Sequence, residues 1–114
     1  MEALEITLLM DYYEGLLTQR QRTCLDLRYN QDLSLAEIAE ELGVSRQAVH
    51  ENITRAEELL RRMEEKTGCI SRDRRCRRAI RSIQTAAGRL SGYPDGAVTA
   101  LAEQILAAAK SIEE

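Results

Sequence analysis

Between residues 33 and 49 the chain starts a helix twice, eleven residues apart, with one glycine between the two starts. In Leu33-Ser34-Leu35-Ala36-Glu37-Ile38, Ser34 and Glu37 have the spacing at which an N-cap hydroxyl and a glutamate satisfy each other's free backbone N–H groups. Leu33 and Ile38 are placed to staple the same turn from outside. The helix so begun buries Leu35, Ile38, Ala39 and Leu42, then meets Gly43, which suits the left-handed backbone of a helix end. Val44-Ser45 repeats the device, with Val49 at the staple position. Two capped helices this close must cross steeply through a tight turn, and Ala39 has the small side chain needed where they meet. The pattern predicts a helix-turn-helix over residues 34 to 55.

The rest of the chain reads as helix as well. Residues 2 to 16 carry a wide apolar stripe, Leu4, Leu8, Leu9, Tyr12, Leu16 and Leu17. Thr18 with Gln21 is another capping box, and the helix it starts runs to about Arg28 or Tyr29, burying Cys24, Leu25 and Leu27. Asn30-Gln31-Asp32 is a polar break. From Arg46 a long helix continues to about Lys66, with Val49, Ile53, Ala56, Leu60 and Met63 in a coiled-coil-like seam, and Thr67-Gly68 stops it. A second seam follows at Cys76, Ile80, Ile83, Ala87 and Leu90. After the turn formers of residues 91 to 96 comes a third, at Val98, Leu101, Ile105, Ala108 and Ile112. Such narrow seams are not stable in water alone, so they bury against one another, the head or a second copy of the chain. A homodimer is the favoured outcome. The expected fold is all-α, with a helix-turn-helix domain over residues 1–66 (recognition helix about 46–66) and a helical extension over 67–114.

Charge is divided unevenly. Residues 1 to 69 hold 8 basic and 14 acidic side chains, and residues 70 to 114 hold 8 and 5, giving balances of −6 and +3. The opening MEALEITLL has no basic residue, so a signal peptide is not expected, and no apolar run is long enough to span a bilayer. A cytoplasmic location follows. The cysteines, Cys24, Cys69 and Cys76, are odd in number and lack a C-x-x-C pair, which speaks for buried or half-buried free thiols and for no metal.

Two surfaces are candidates for function. On the second helix of the motif, Arg46, Gln47, His50, Glu51, Thr54 and Arg55 face outward. Arg46 and Gln47 have the side chains that pair with guanine and adenine edges in a major groove. Arg55 and the Ser45 hydroxyl, with the helix N-terminus, suit phosphate oxygens. Asn52 stands where such a helix places an apolar residue, and Ile53 takes over its packing role. An acidic head binds duplex weakly at physiological salt unless it is dimeric, because affinity comes largely from Lys and Arg on phosphates. The second surface is the arginine run, Arg72, Arg74, Arg75, Arg77, Arg78 and Arg81. Arg74, Arg77, Arg78 and Arg81 share one helical side, suited to RNA or DNA phosphate or to an acidic protein. Alternatively, the run is a solvated face paired with Glu57, Glu58, Glu64 and Glu65. Catalysis has no support: His50 is isolated, and there is no phosphate loop, nucleophile elbow or ligand pair, so no enzyme, cofactor or small-molecule ligand is expected.

The tyrosines of DYYEGLL, the LTQRQ turn, DLSLAEIAEELGVSRQAVHENI and the later GYPDG together resemble the YlxM family of small bacterial proteins. More distantly, the motif resembles the helix-turn-helix of region four of sigma factors. The resemblance is close from about residue 8 to 66 and loose afterwards, where the arginine run is richer than the family's pattern. It implies a sigma-region-four-like head and a regulatory or accessory role in the signal recognition particle pathway, with the particle's GTPase, its RNA or DNA as partners. The expected function is that of a non-enzymatic nucleic-acid-binding regulator linked to that pathway. The alternatives are an adaptor that docks the GTPase without binding DNA, and a general transcriptional regulator.

Overall fold

Side-chain caps set where the helices begin. Thr18 and Ser34 each accept from a backbone N–H three residues on, while Gln21 and Glu37 reach back to the capping residues' own N–H groups. Asp95 accepts from the N–H of Ala97 at 2.8 Å and starts the last helix. In the computed structural model, which describes residues 3–113, these signals yield an all-α chain with six α-helices and, among those residues, no strand. They are α1 (Ala3–Tyr13), α2 (Gln19–Leu25), α3 (Leu35–Leu42), α4 (Arg46–Thr67), α5 (Cys69–Leu90) and α6 (Gly96–Glu113). A 3₁₀ turn, Glu14–Leu16, follows α1, and a π-helical turn, Asp26–Asn30, follows α2. The chain divides into two compact units, Met1–Ile70 and Ser71–Glu114.

The first unit has one aliphatic core, in which Ile6, Cys24, Leu25, Ile38, Val49 and Leu60 are fully enclosed. Each such aliphatic side chain contributes about 1.5–3 kcal/mol by leaving water. The predicted seam of α4 is the spine of this core: Val49, Ile53, Ala56 and Leu60 are buried and Met63 is half-buried. α1 differs from expectation. It buries Ile6, Leu9, Met10 and Tyr13, while Leu4 and Leu16 of the predicted stripe are exposed. The helix is apolar around most of its circumference, so periodicity does not choose a face. The Tyr13 hydroxyl contributes to the choice, bonding Glu64 and Thr67 of α4 at 2.6 Å each. Glu64 also accepts from the N–H of Ile70 at 3.0 Å and so caps the first turn of α5.

The second unit is the hairpin of α5 and α6. Ile112 and Glu113 lie beside Asp73, Cys76, Arg77 and Ile80, so the two helices run antiparallel. Their contact is narrow. α5 buries Ile80 and Ala87 with Gln84 half-buried between them, and α6 turns Val98, Ala102, Leu106 and Ala109 inward. The third predicted seam is therefore displaced by one residue: Leu101, Ile105, Ala108 and Ile112 are exposed. α6 is rich in alanine, so two apolar rows coexist on it, and the row with alanines at its centre permits the closer helix approach. Cys76 is exposed, unlike the buried Cys24 and half-buried Cys69, which corrects the expectation for the thiols.

Candidate nucleic-acid interface

The helix-turn-helix is built as the spacing of its residues demands. Gly43 adopts φ 68°, ψ 35°, and the N–H of Val44 bonds back to Ala39 at 3.1 Å, closing the turn. Ser45 caps α4 by accepting from the N–H of Ala48 at 3.0 Å. Its oxygen is thus engaged by the helix, and only its O–H is left to donate to a phosphate. The N–H groups of Arg46 and Gln47 lie in the first turn, where a helix supplies no acceptor of its own. Asn52 is half-buried and donates to the Ala48 carbonyl at 2.9 Å, while Ile53 is 7% exposed and fills the core position.

Of the candidate reading residues, Arg46, Gln47, His50, Glu51 and Arg55 are exposed and Thr54 is half-buried. His50, Glu51, Thr54 and Arg55 surround one shallow depression, and Glu58 joins them. Glu58 was not among the sequence candidates, although its i+4 spacing from Thr54 and i+7 spacing from Glu51 mark that face. The face therefore mixes Arg46 and Arg55 with two carboxylates. On the partner helix α3, Glu37, Glu40 and Glu41 are exposed around a second depression with Leu33. The backbone and side chain of Ser34 hold the Glu37 carboxyl below its ordinary range, which keeps it anionic. The first helix of such a motif crosses the phosphate backbone, so these glutamates oppose a duplex where others attract it.

Two other glutamates of α4 have different tasks. The Tyr29 hydroxyl, aimed by the π-helical turn, donates to Glu57, and Arg61 lies 3.9 Å from the same carboxylate. Burial first, and Glu57 second, push the Tyr29 phenol up to about 12. Burial likewise raises Tyr13, with its bond to Glu64 adding to the effect. Glu57 and Glu64 thus each hold a tyrosine hydroxyl within the first unit.

Arg74, Arg75, Arg77, Arg78 and Arg81 are all exposed. At about 100° per residue they span an arc of roughly 160°, into which Arg89 also falls. Arg89 is isolated in sequence, and only its helical phase joins it to the run. Arg72 lies outside that arc. Among the described residues no cluster of His, Cys, Asp and Glu is arranged to hold a metal, and no helix is long and apolar enough to cross a membrane.

Comparison with known proteins agrees with this geometry. Residues 1–91 match the UPF0122 family of helix-turn-helix proteins, YlxM / p13 like. A UPF0122 protein of Desulforamulus reducens is 45% identical over 92 residues, 81% of this chain and 76% of that protein. One from Acetivibrio thermocellus is 54% identical over 66 residues, 58% of this chain and 56% of its own length. One from Bacillus cereus is 46% identical over 76 residues, covering 67% and 69%. The chain belongs to the UPF0122 family.

Proposed function

We propose that this UPF0122 member is a stoichiometric, non-enzymatic nucleic-acid-binding accessory protein, acting in the signal recognition particle pathway that its YlxM-like sequence suggests. The observation that carries the reading is the division of labour between its two exposed surfaces. α4 offers Arg46, Gln47 and His50 on a rigid, capped helix, a geometry suited to reading base edges. The arginine arc of α5 offers exposed guanidinium groups, on which phosphate affinity depends. Neither surface supplies both. Thr54, Arg55 and the Ser45 hydroxyl border the first and Glu51 limits its affinity, while Arg74, Arg75, Arg77, Arg78 and Arg81 make the second.

The three glutamates of α3 favour a second reading, in which the helix-turn-helix serves only to fold. The arginine arc then docks an acidic face of the particle's GTPase, and the protein is an adaptor. Anisotropy at physiological salt with the particle's RNA, its GTPase and a random duplex separates the two. In the first reading, Arg74→Glu with Arg77→Glu and Arg78→Glu abolishes RNA binding and flattens its salt dependence. Tight GTPase binding with no RNA binding by the unaltered protein would replace the first reading with the second. Duplex binding that outcompetes both would make it a transcriptional regulator.

A further inference from the structure

We infer that the apolar face of the α5–α6 hairpin is the surface through which two copies of this chain associate. Ile83 and Leu90 of α5 lie roughly 50–70° around the helix from the inward stripe of Ile80 and Ala87, and the arginine arc lies the other way. On α6, Leu101, Ile105 and Ile112 are displaced from the inward stripe of Ala102 and Ala109 by a similar angle, in the same rotational sense. In an antiparallel pair, equal rotational senses lead to the same face of the hairpin. The five large aliphatics therefore form one surface, and they keep between 37% and 67% of their areas exposed.

Three properties of this face select a second copy as its occupant. The first is area. With the alanines between them, these side chains expose roughly 500–600 Å² of contiguous apolar surface, at the upper end for a monomer and most of the roughly 800 Å² that each partner gives to a stable interface. The second is charge. A two-fold axis sets a patch against itself, so a charge near the axis meets its own like. Between residues 76 and 90 of α5, and 97 and 112 of α6, this face carries none; the arginines of those stretches lie elsewhere, and Arg72, in line with Leu90, stands only at the open end of the hairpin. A surface built for a different protein usually carries charges that select it. The third is spacing. Both rows repeat at threes and fours, so two hairpins face to face form a four-helix bundle with side chains interleaved.

Sedimentation of the full chain at micromolar concentrations tests this, alongside Leu101→Glu, Ala108→Glu and, on the opposite face, Arg77→Glu. Leu101 and Ala108 are exposed in the single chain, so neither change disturbs its fold, and circular dichroism checks this. We expect a dimer whose dissociation constant rises at least ~100-fold with Leu101→Glu, since each dimer contains the change twice. Ala108→Glu acts in the same direction and Arg77→Glu leaves the dimer intact. A monomeric unaltered protein, or a dimer that survives both face substitutions, overturns the inference.

Discussion

The two units are both helical, and they hold together in opposite ways. In the first, the large aliphatics are inside: Leu60, Ile38 and Val49 are fully enclosed, and three of the helices begin at side-chain caps. In the second, Ile80 and three alanines are buried and five large aliphatics are outside, with Leu101 59% and Ile112 67% exposed. Helix formation is therefore not the same as core formation. The first unit encloses most of its large aliphatics, whereas the second leaves five of them exposed. The contrast is sharpest between Leu60 and Leu101. Leu60→Ala is expected to destabilise the first unit by about 2–5 kcal/mol in chemical denaturation, because it leaves a cavity in a packed core. In dilute, monomeric protein, Leu101→Ala is expected to change stability by less than about 0.5 kcal/mol. Equal losses would mean that Leu101 is covered within the single chain, and the comparison would fail.

Two glycines test the difference at the level of the backbone. Gly43 holds φ 68° at the centre of the helix-turn-helix, a region that an L side chain enters only at about 1–2 kcal/mol. Gly43→Ala is therefore destabilising by that amount. Gly88 lies inside α5, and an added Cβ meets nothing within 4 Å. Gly88→Ala is expected to stabilise the hairpin by about 0.5–1 kcal/mol through helix propensity. Amide exchange locates each effect: faster exchange in α3 and α4 for the first, slower exchange in α5 for the second. A destabilising Gly88→Ala would reveal a contact on that side of α5.

What was legible in the sequence follows the range of the interaction that makes it. Caps and turns act over three or four residues, so Ser34 with Glu37, Gly43 and Ser45 predict the helix-turn-helix directly, and the family match over residues 1–91 agrees. Burial of Cys24, Leu25 and Leu27 was legible because few apolar neighbours compete with them. The facing of α1 and α6 was not. Where nearly every turn is apolar, or where alanine and leucine sit one position apart, two stripes fit the same periodicity and only the packing partner decides. The π-helical turn after α2 was also invisible, since its use is to aim Tyr29 at a carboxylate 28 residues away. On the reading face, Arg46, Gln47 and His50 follow from helical phase, while Glu58 required the depression it helps to line.

The smallest expected effect concerns that long-range bond and appears only at high pH. An unfolded tyrosine ionises near pH 10, whereas Tyr29 in the fold is pushed up to about 12, first by burial and then by Glu57. The folded state thus keeps a proton that the unfolded chain releases. This contribution to stability is fully present below about pH 10 and is lost as pH rises through about 12. Tyr29→Phe cannot ionise, so its denaturation midpoint should decline less steeply than that of the unaltered protein between about pH 10 and 12. Tyr13 is raised in the same direction and remains in both proteins, so the difference in slope belongs to Tyr29. Its partner is on α4, and the alkaline loss should therefore register in α2 and α4 by amide exchange before it registers in the hairpin. Parallel midpoints would place the Tyr29 hydroxyl in water and detach the π-helical turn from the recognition helix. Early loss in the hairpin would instead break the separation of the two units on which the comparison rests.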